Sequence, residues 1–475
     1  MPSHLALALC CAFVAFLLRL DRRQSAGVSR VVWIPTAWML CCAARPVAAW
    51  FAPETASDAE EGSTLDRNIL VFFIVIGVVI LAKRKLAWAS FFQANRWFLW
   101  LIIYMGVSVL WSDSVFISFK RYVREWGTIV MALIVVTEAD PPLALEAVIR
   151  RTAYLLVPLS VLVVKYFPRF GMEYEPWSGE RMWVGVTTQK NGLGRLCLVS
   201  AFFLVWTLIK KRQRKEAFAR FEMISTGLVL AMTFWLFRGP GTAYSATSTG
   251  TFILGCGLLI WLMRLRRRQE FAGIKLLYPL AFLILAYGIA LPYIGGAGVS
   301  VLTSTMNRDA TFTGRTEVWD ALIPLVEHNP IFGVGYGGFW VGQPIRIPVN
   351  EAHNGYLDLS LQLGAVGLIL VFGVVVSFLN QARKVLARDF FLGSLGISFL
   401  LMLLLHNVSE SSLARGTTQL WATFVFLQIL FSSSAYSGDA SEPGDLADET
   451  QETENGPPMA DEPAGVRPNL YQHLG

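Results

Sequence analysis

His353 stands with Asn354 at the mouth of a long apolar run in "EAHNGYLDLSLQLGAVGLIL", residues 351–370. An imidazole, with a reference pKa near 6.5, takes up a proton at neutral pH and gives it back, so a histidine there reads as a general acid or base. Arg315, Arg195, Arg238 and Arg415, with Lys190, lie at the ends of apolar runs or in the segments between them. A guanidinium stays charged and grips phosphate oxygens with a planar fork, so these residues suit a diphosphate. Glu410 is placed to pair with an arginine or to act as a rival base, and Asn354 and Tyr356 to orient His353 or bind hydroxyl groups. Such a set performs proton transfer beside a phosphate.

The elements that must position these residues are membrane helices. Of the 475 residues, 54% are hydrophobic and 16% charged, with mean hydropathy +0.50, whereas soluble domains average about 25% charged residues. A hydrocarbon core about 30 Å thick is crossed by roughly 20 apolar residues in a helix. About thirteen runs approach that length, the first at 5–20 and the last at 417–431, among them 31–50, 126–137, 192–209, 276–292, 356–379 and 391–406. No alternating strand pattern competes with them, and only helices or closed barrels satisfy their backbone in lipid. The expectation is an all-α integral membrane protein, a polytopic bundle of about 12–13 transmembrane helices with one large outer loop containing short helices. Its parts are 1–290 (N-terminal helices), 291–355 (the loop), 356–431 (C-terminal helices) and 432–475, an acidic tail expected to be disordered on the cytoplasmic side.

Short segments after alternate runs hold 24 of the 40 Lys and Arg, and cytoplasmic loops carry that excess. This places the N-terminus and the large loop outside, and topology accounts for the net charge of +6 without nucleic acid. "MPSH" lacks a positive leader, so the first run reads as a span and not a secretion signal. The six cysteines all fall in apolar runs and read as small hydrophobes. In the loop, "TGRTEVWDALIPLVEHNPIFG" predicts a surface helix capped by Thr316 and ended by Pro330. "GVGYGG" satisfies G-x-G-x-x-G but neither leaves a strand nor opens a helix, and reads as a tight turn. Trp319, Tyr336, Phe339 and Trp340 would stack on sugar faces or form a membrane belt. With no Asp-x-Asp in an outer segment, and "EYE" at 173–175 its nearest approach, no metal and no cofactor are expected, arginine taking the cation's part.

"NRDATFTGRTEVW", "HNPIFGVGYGGFW" and "AHNGYLDLSLQLGAVGLIL", in that order, resemble the carboxy-terminal domain of the O-antigen ligase and polymerase superfamily, most closely its exopolysaccharide polymerase branch. "WSDSVFISFKR", "TTQKNGLGRL", "YSATSTGTF" and "NVSESSL" extend the resemblance over most of the chain; the tail is outside it. The resemblance implies transfer of glycan from a polyprenyl diphosphate to a sugar hydroxyl at the outer face of a bacterial inner membrane. Donor, acceptor and lipid bilayer are then the partners, with polysaccharide export or chain-length proteins beside them. It also puts Arg315 first among the cations, because the family motif ends in the pair matched by Gly314 and Arg315. Gln189 before "KN" and "SATS" at 245–248 depart from the ligase pattern and favour a polymerase. A ligase acting on a lipid or protein acceptor is the alternative, and a non-enzymatic flippase a third. Transporters place ionisable groups near the bilayer midplane, whereas here they collect at one face.

Overall fold

The computed structural model describes residues 2–51, 63–86, 88–174, 179–215, 220–241, 243–268, 271–294, 313–341 and 350–433. The tail beyond 433, parts of the large loop and residue 175 of "EYE" therefore lie outside the described residues. Helices of seven residues or more are α1 (Ser3–Gln24), α2 (Trp33–Ala43), α3 (Thr64–Ala82), α4 (Trp88–Ala94), α5 (Arg96–Ser108), α6 (Val115–Val136), α7 (Pro141–Tyr166) and α8 (Lys190–Arg214). They continue as α9 (Arg220–Arg238), α10 (Ala246–Arg268), α11 (Leu277–Ile294), α12 (Thr313–His328), α13 (Gly355–Arg388), α14 (Phe390–His406) and α15 (Gln419–Phe431). A small antiparallel hairpin, β1 (Met172–Tyr174) with β2 (Arg181–Trp183), precedes α8.

All thirteen apolar runs fall on helices, and the protein is an all-α, multi-pass membrane protein. Among the described residues eight helices are long and apolar enough to cross a bilayer, and α4 with α5, bent by 84° at their junction, makes a ninth span if counted as one. The remaining runs differ for physical reasons. The helices covering α2, α14 and α15 are apolar but short, and α14 and α15 are buried along almost their whole length, so they form the centre and not the lipid-facing wall. The first half of α6 carries Lys120, Arg121, Arg124 and Glu125, too polar for lipid, and the last three are matched by partners inside the bundle. α7 is largely enclosed, whereas α3 is almost bare to its surroundings.

Hydropathy reads residues 356–379 as one continuous span, yet α13 is broken at Gly364, whose φ is +60 and ψ −160. The break frees the carbonyls of Leu361 and Gln362 and the amides of Ala365 and Val366. Val334 and Gly335 donate to those carbonyls at 2.9 and 3.0 Å, while the freed amides donate to Pro330 and Ile331 at 2.8 and 3.2 Å. The "NPIFGVGYGG" turn thus completes the broken helix with its own backbone, which is how non-helical chain survives at membrane depth. Gly333, Gly335 and Gly337 take positive φ in it, and a Cβ on Gly364 would lie 2.3 Å from the Ile331 carbonyl oxygen.

Candidate active site

The end of the bundle where α13 begins gathers three segments: 350–354, the α14–α15 connection at 407–418, and the first turns of α12. Asn354 caps α13, its Oδ1 accepting from the amides of Tyr356 and Leu357 at 2.9 Å each. Its Nδ2 donates to the carbonyls of Gly288 at 2.9 Å and Val408 at 3.1 Å, tying the cap to α11 and to the α14–α15 connection. That connection winds around Asn407, whose Oδ1 accepts from the amides of Ser412 and Leu413 at 2.7 and 2.9 Å. Gly355 meets Asn407 so closely that a Cβ would stand 2.1 Å from Oδ1. His353, immediately before the cap, sits in the left-handed region at φ +50, a conformation costing a non-glycine residue about 1–2 kcal/mol.

At this corner two arginine–carboxylate pairs face one imidazole. Arg315 Nη2 lies 2.7 Å from Glu410 Oε1, and Asn191 Nδ2, from the first turn of α8, donates to the same oxygen at 2.7 Å. Arg415 Nη1 lies 2.7 Å from Glu351 Oε2 and 3.8 Å from Asp358 Oδ2. The other oxygen of each glutamate points at His353 Nδ1, Glu351 Oε1 at 3.4 Å and Glu410 Oε2 at 3.7 Å. Both carboxylates are buried, their side chains 3% and 0% exposed, while the His353 side chain is 23% exposed. Burial opposes charge on the ring, but Glu410 and Glu351 outweigh it and raise the His353 pKa above its ordinary value. Burial would likewise raise the Glu410 carboxyl, yet Arg315 and His353 hold it well below the usual carboxylate range.

The facing atoms of Glu351, His353 and Glu410 lie within 4.8 Å of one another, a spacing open to a divalent cation as well as to a proton. Three carboxylates here meet two guanidiniums, so one proton on His353 balances the charge.

The structure sorts the sequence candidates. His353, Arg315, Arg415 and Glu410 come together, and Asn354 holds the backbone beneath them. Tyr356 does not reach the site: it is fully buried, its hydroxyl donating to the Leu404 carbonyl at 2.7 Å. Gly314 lies in the first turn of α12, and Thr316 is an interior residue of that helix, not its cap, because the helix begins at Thr313. Arg195 lies one turn beyond Asn191 on the same face of α8, and its Nη1 is buried with no hydrogen-bond partner among the described residues. Lys190 opens α8 and lines a cleft with Trp183, Gly194, Phe237, Tyr244 and Ser245. Arg238 is exposed at the end of α9, between Phe237 and Gly239 of that cleft. Arg45 binds the carbonyls of Phe170, Gly185 and Thr187, which makes it a clamp.

Sugar-stacking and belt readings both fail for Trp319, Tyr336, Phe339 and Trp340, which are buried. Trp319 donates to the Ala352 carbonyl at 2.8 Å, Trp340 to Asp358 at 2.7 Å and Tyr336 to Glu125 at 2.8 Å. They fasten the loop to the bundle. Sequence reasoning gave no role to Glu351, Asp358, Asn191 or Glu125. The first lies in the quoted "EAHN", and its charge beside His353 was the available signal; Glu125 was marked by being a carboxylate in an otherwise basic and apolar helix.

Fold and site define a multi-pass helical membrane protein with a buried ionic site at one end of its bundle. Residues 239–372 match the family model described as O-antigen ligase. The block holds Arg315, Glu351, His353 and Asp358, and leaves Lys190, Arg195, Glu410 and Arg415 outside. Exopolysaccharide production protein ExoQ of Rhizobium meliloti (strain 1021) is 25% identical over 340 residues, which cover 68% of this chain and 73% of the relative. Both matches support the family of O-antigen ligases and exopolysaccharide polymerases for this chain.

Proposed function

We propose that the protein polymerises glycan at the outer face of a bacterial inner membrane, passing a chain from a polyprenyl diphosphate to a sugar hydroxyl. The observation that carries this reading is His353, partly exposed at the bundle end, with its Nδ1 between two buried carboxylates and arginines beside it. In the reaction the acceptor hydroxyl gives its proton to His353 as its oxygen bonds to the first carbon of the donor glycan. The bond from that carbon to the diphosphate breaks, and polyprenyl diphosphate leaves with the electron pair. Arg315 and Arg195, with Lys190, take up the charge that grows on the leaving oxygens, a task that rewards fixed donors most in the transition state. No metal is assigned to the reaction.

A ligase would use the same steps and differ in its acceptor. Loss of the gene separates the readings: accumulated single repeat units on the lipid mean a polymerase, long lipid-linked chains a ligase, and arrest of units at the inner face a flippase. Orientation rests on the basic loops at the far end of the bundle. A cysteine at exposed Glu327 should react with an impermeant thiol reagent before lysis; reaction only after lysis reverses it.

A further inference from the structure

We infer that Glu351, held by Arg415, is a positioning residue that turns the Nδ1–H of His353 inward and leaves Nε2 to meet the acceptor hydroxyl. The inference rests on the glycan-transfer reading and adds to it which ring nitrogen reacts and what fixes it. Both carboxylates address the same nitrogen, Nδ1. A hydrogen on that atom satisfies them, and the lone pair is then on Nε2; a carboxylate holding the far side of an imidazole sets tautomer and direction in this way. Contacts of 3.4 and 3.7 Å are long for hydrogen bonds, as catalytic ones commonly are before substrate binds.

Glu351 suits the task better than Glu410 because of what holds each. Glu410 shares Arg315 with the donor site, so its surroundings change when a diphosphate arrives. Glu351 is gripped by Arg415, which also donates to the Asn350 carbonyl at 3.2 Å and faces Asp358. Asp358 in turn accepts from Trp340 at 2.7 Å and Gln362 at 3.3 Å. The neighbours of His353 are fixed one by one: Glu351 by Arg415, Ala352 by Trp319, and Asn354 by Gly288 and Val408. Among the described residues neither Glu351 Oε1 nor Glu410 Oε2 has a hydrogen-bond partner, and both are aimed at the ring, so it is the anchoring of each carboxylate that tells them apart. Arg415, ranked by sequence among the diphosphate ligands, is thereby assigned to Glu351.

The groups facing His353 are Glu351 from its own segment, Glu410 from the α14–α15 connection and Arg315 from α12, with Arg415 and Asp358 behind Glu351. Glu351→Gln keeps the shape and an acceptor oxygen but removes a counter-charge from the imidazolium. Turnover at saturating donor should fall roughly tenfold or more, with donor KM nearly unchanged. The acidic limb of the pH–rate profile should move to lower pH, because the ring loses part of what favours its protonated form. Glu351→Asp keeps the charge but shortens the reach; it should leave the limb near its parent position and still cut turnover.

Titrating His353 by NMR of histidine-labelled protein, assigned with a His353 variant, reads the same charge effect without activity. A midpoint that falls in Glu351→Gln together with the rate limb supports the inference. An unchanged midpoint, or parental turnover in both Glu351 variants, overturns it while leaving His353 as base. A midpoint that falls while the rate limb stays put removes His353 from the proton transfer, and with it the glycan-transfer reading that the inference needs.

Discussion

Two of the buried ionic clusters among the described residues are built differently. Between α1 and α7, Asp21 binds Arg150 at 2.8 Å and Arg151 at 2.6 Å, one oxygen to each, and Ser25 donates to Asp21 at 3.2 Å. Trp33 covers the Arg151 guanidinium at 4.6 Å. Every carboxylate oxygen there is bonded. Around His353, each glutamate commits one oxygen to an arginine and aims the other at an imidazole that is partly exposed and held in a left-handed backbone. A cluster whose carboxylate oxygens are all bonded fixes helices; one whose carboxylates each keep an oxygen aimed at a strained, accessible imidazole suits chemistry.

His353→Ala should separate the two most widely. Loss of a general base typically costs about 10²–10⁴-fold in rate, and the variant should reach the membrane at parental abundance, because the side chain is not core. Near-parental polymer at matched expression would pass the base to Glu410.

Asp21→Asn should do the reverse. It strands two buried guanidiniums, a loss of about 3–5 kcal/mol when one partner of a buried pair is removed. Thermal stability and abundance should fall, while turnover per folded molecule stays at the parent level. Reduced turnover in the folded fraction would break the distinction between the clusters.

Arg315→Lys sharpens the role of the outer arginines. Lysine keeps the charge but loses the fork, and a lost charge-assisted bond of about 1.5–3 kcal/mol corresponds to roughly tenfold or more in rate. Parental turnover in the lysine variant would remove two-pronged binding, and parental turnover in Arg315→Ala would remove the residue from the site. The smallest effect is expected from a chelator: excess should leave turnover unchanged. Activity lost and then restored by one divalent metal would give Glu351, His353 and Glu410 to an ion.

Much of this was legible in the chain. Apolar runs located the helices because lipid demands length and low charge, and local blocks located His353 and Arg315. What stayed hidden depends on distance. Glu410 finds Arg315 across 95 residues and Asn191 across 219, a meeting that no local spacing encodes. The break at Gly364 is invisible to hydropathy because both halves of α13 are apolar; it shows only once the "NPIFGVGYGG" backbone is seen to fill it. Asn354 and Tyr356 have the chemistry of sugar binders, yet capping and burial claim them first. Glu351 stands two residues from His353, but whether they face each other is settled by the φ of +50 at His353.

The most direct test of the central claim is a reconstitution: purified protein in lipid, supplied with a single glycan repeat unit on a polyprenyl diphosphate, with the lipid-linked products sized over time. The account predicts progressively longer lipid-linked chains and one free polyprenyl diphosphate per linkage formed, with His353→Ala idle in the same vesicles. Unchanged donor with the folded parent protein, or equal products from the His353 variant, would contradict it.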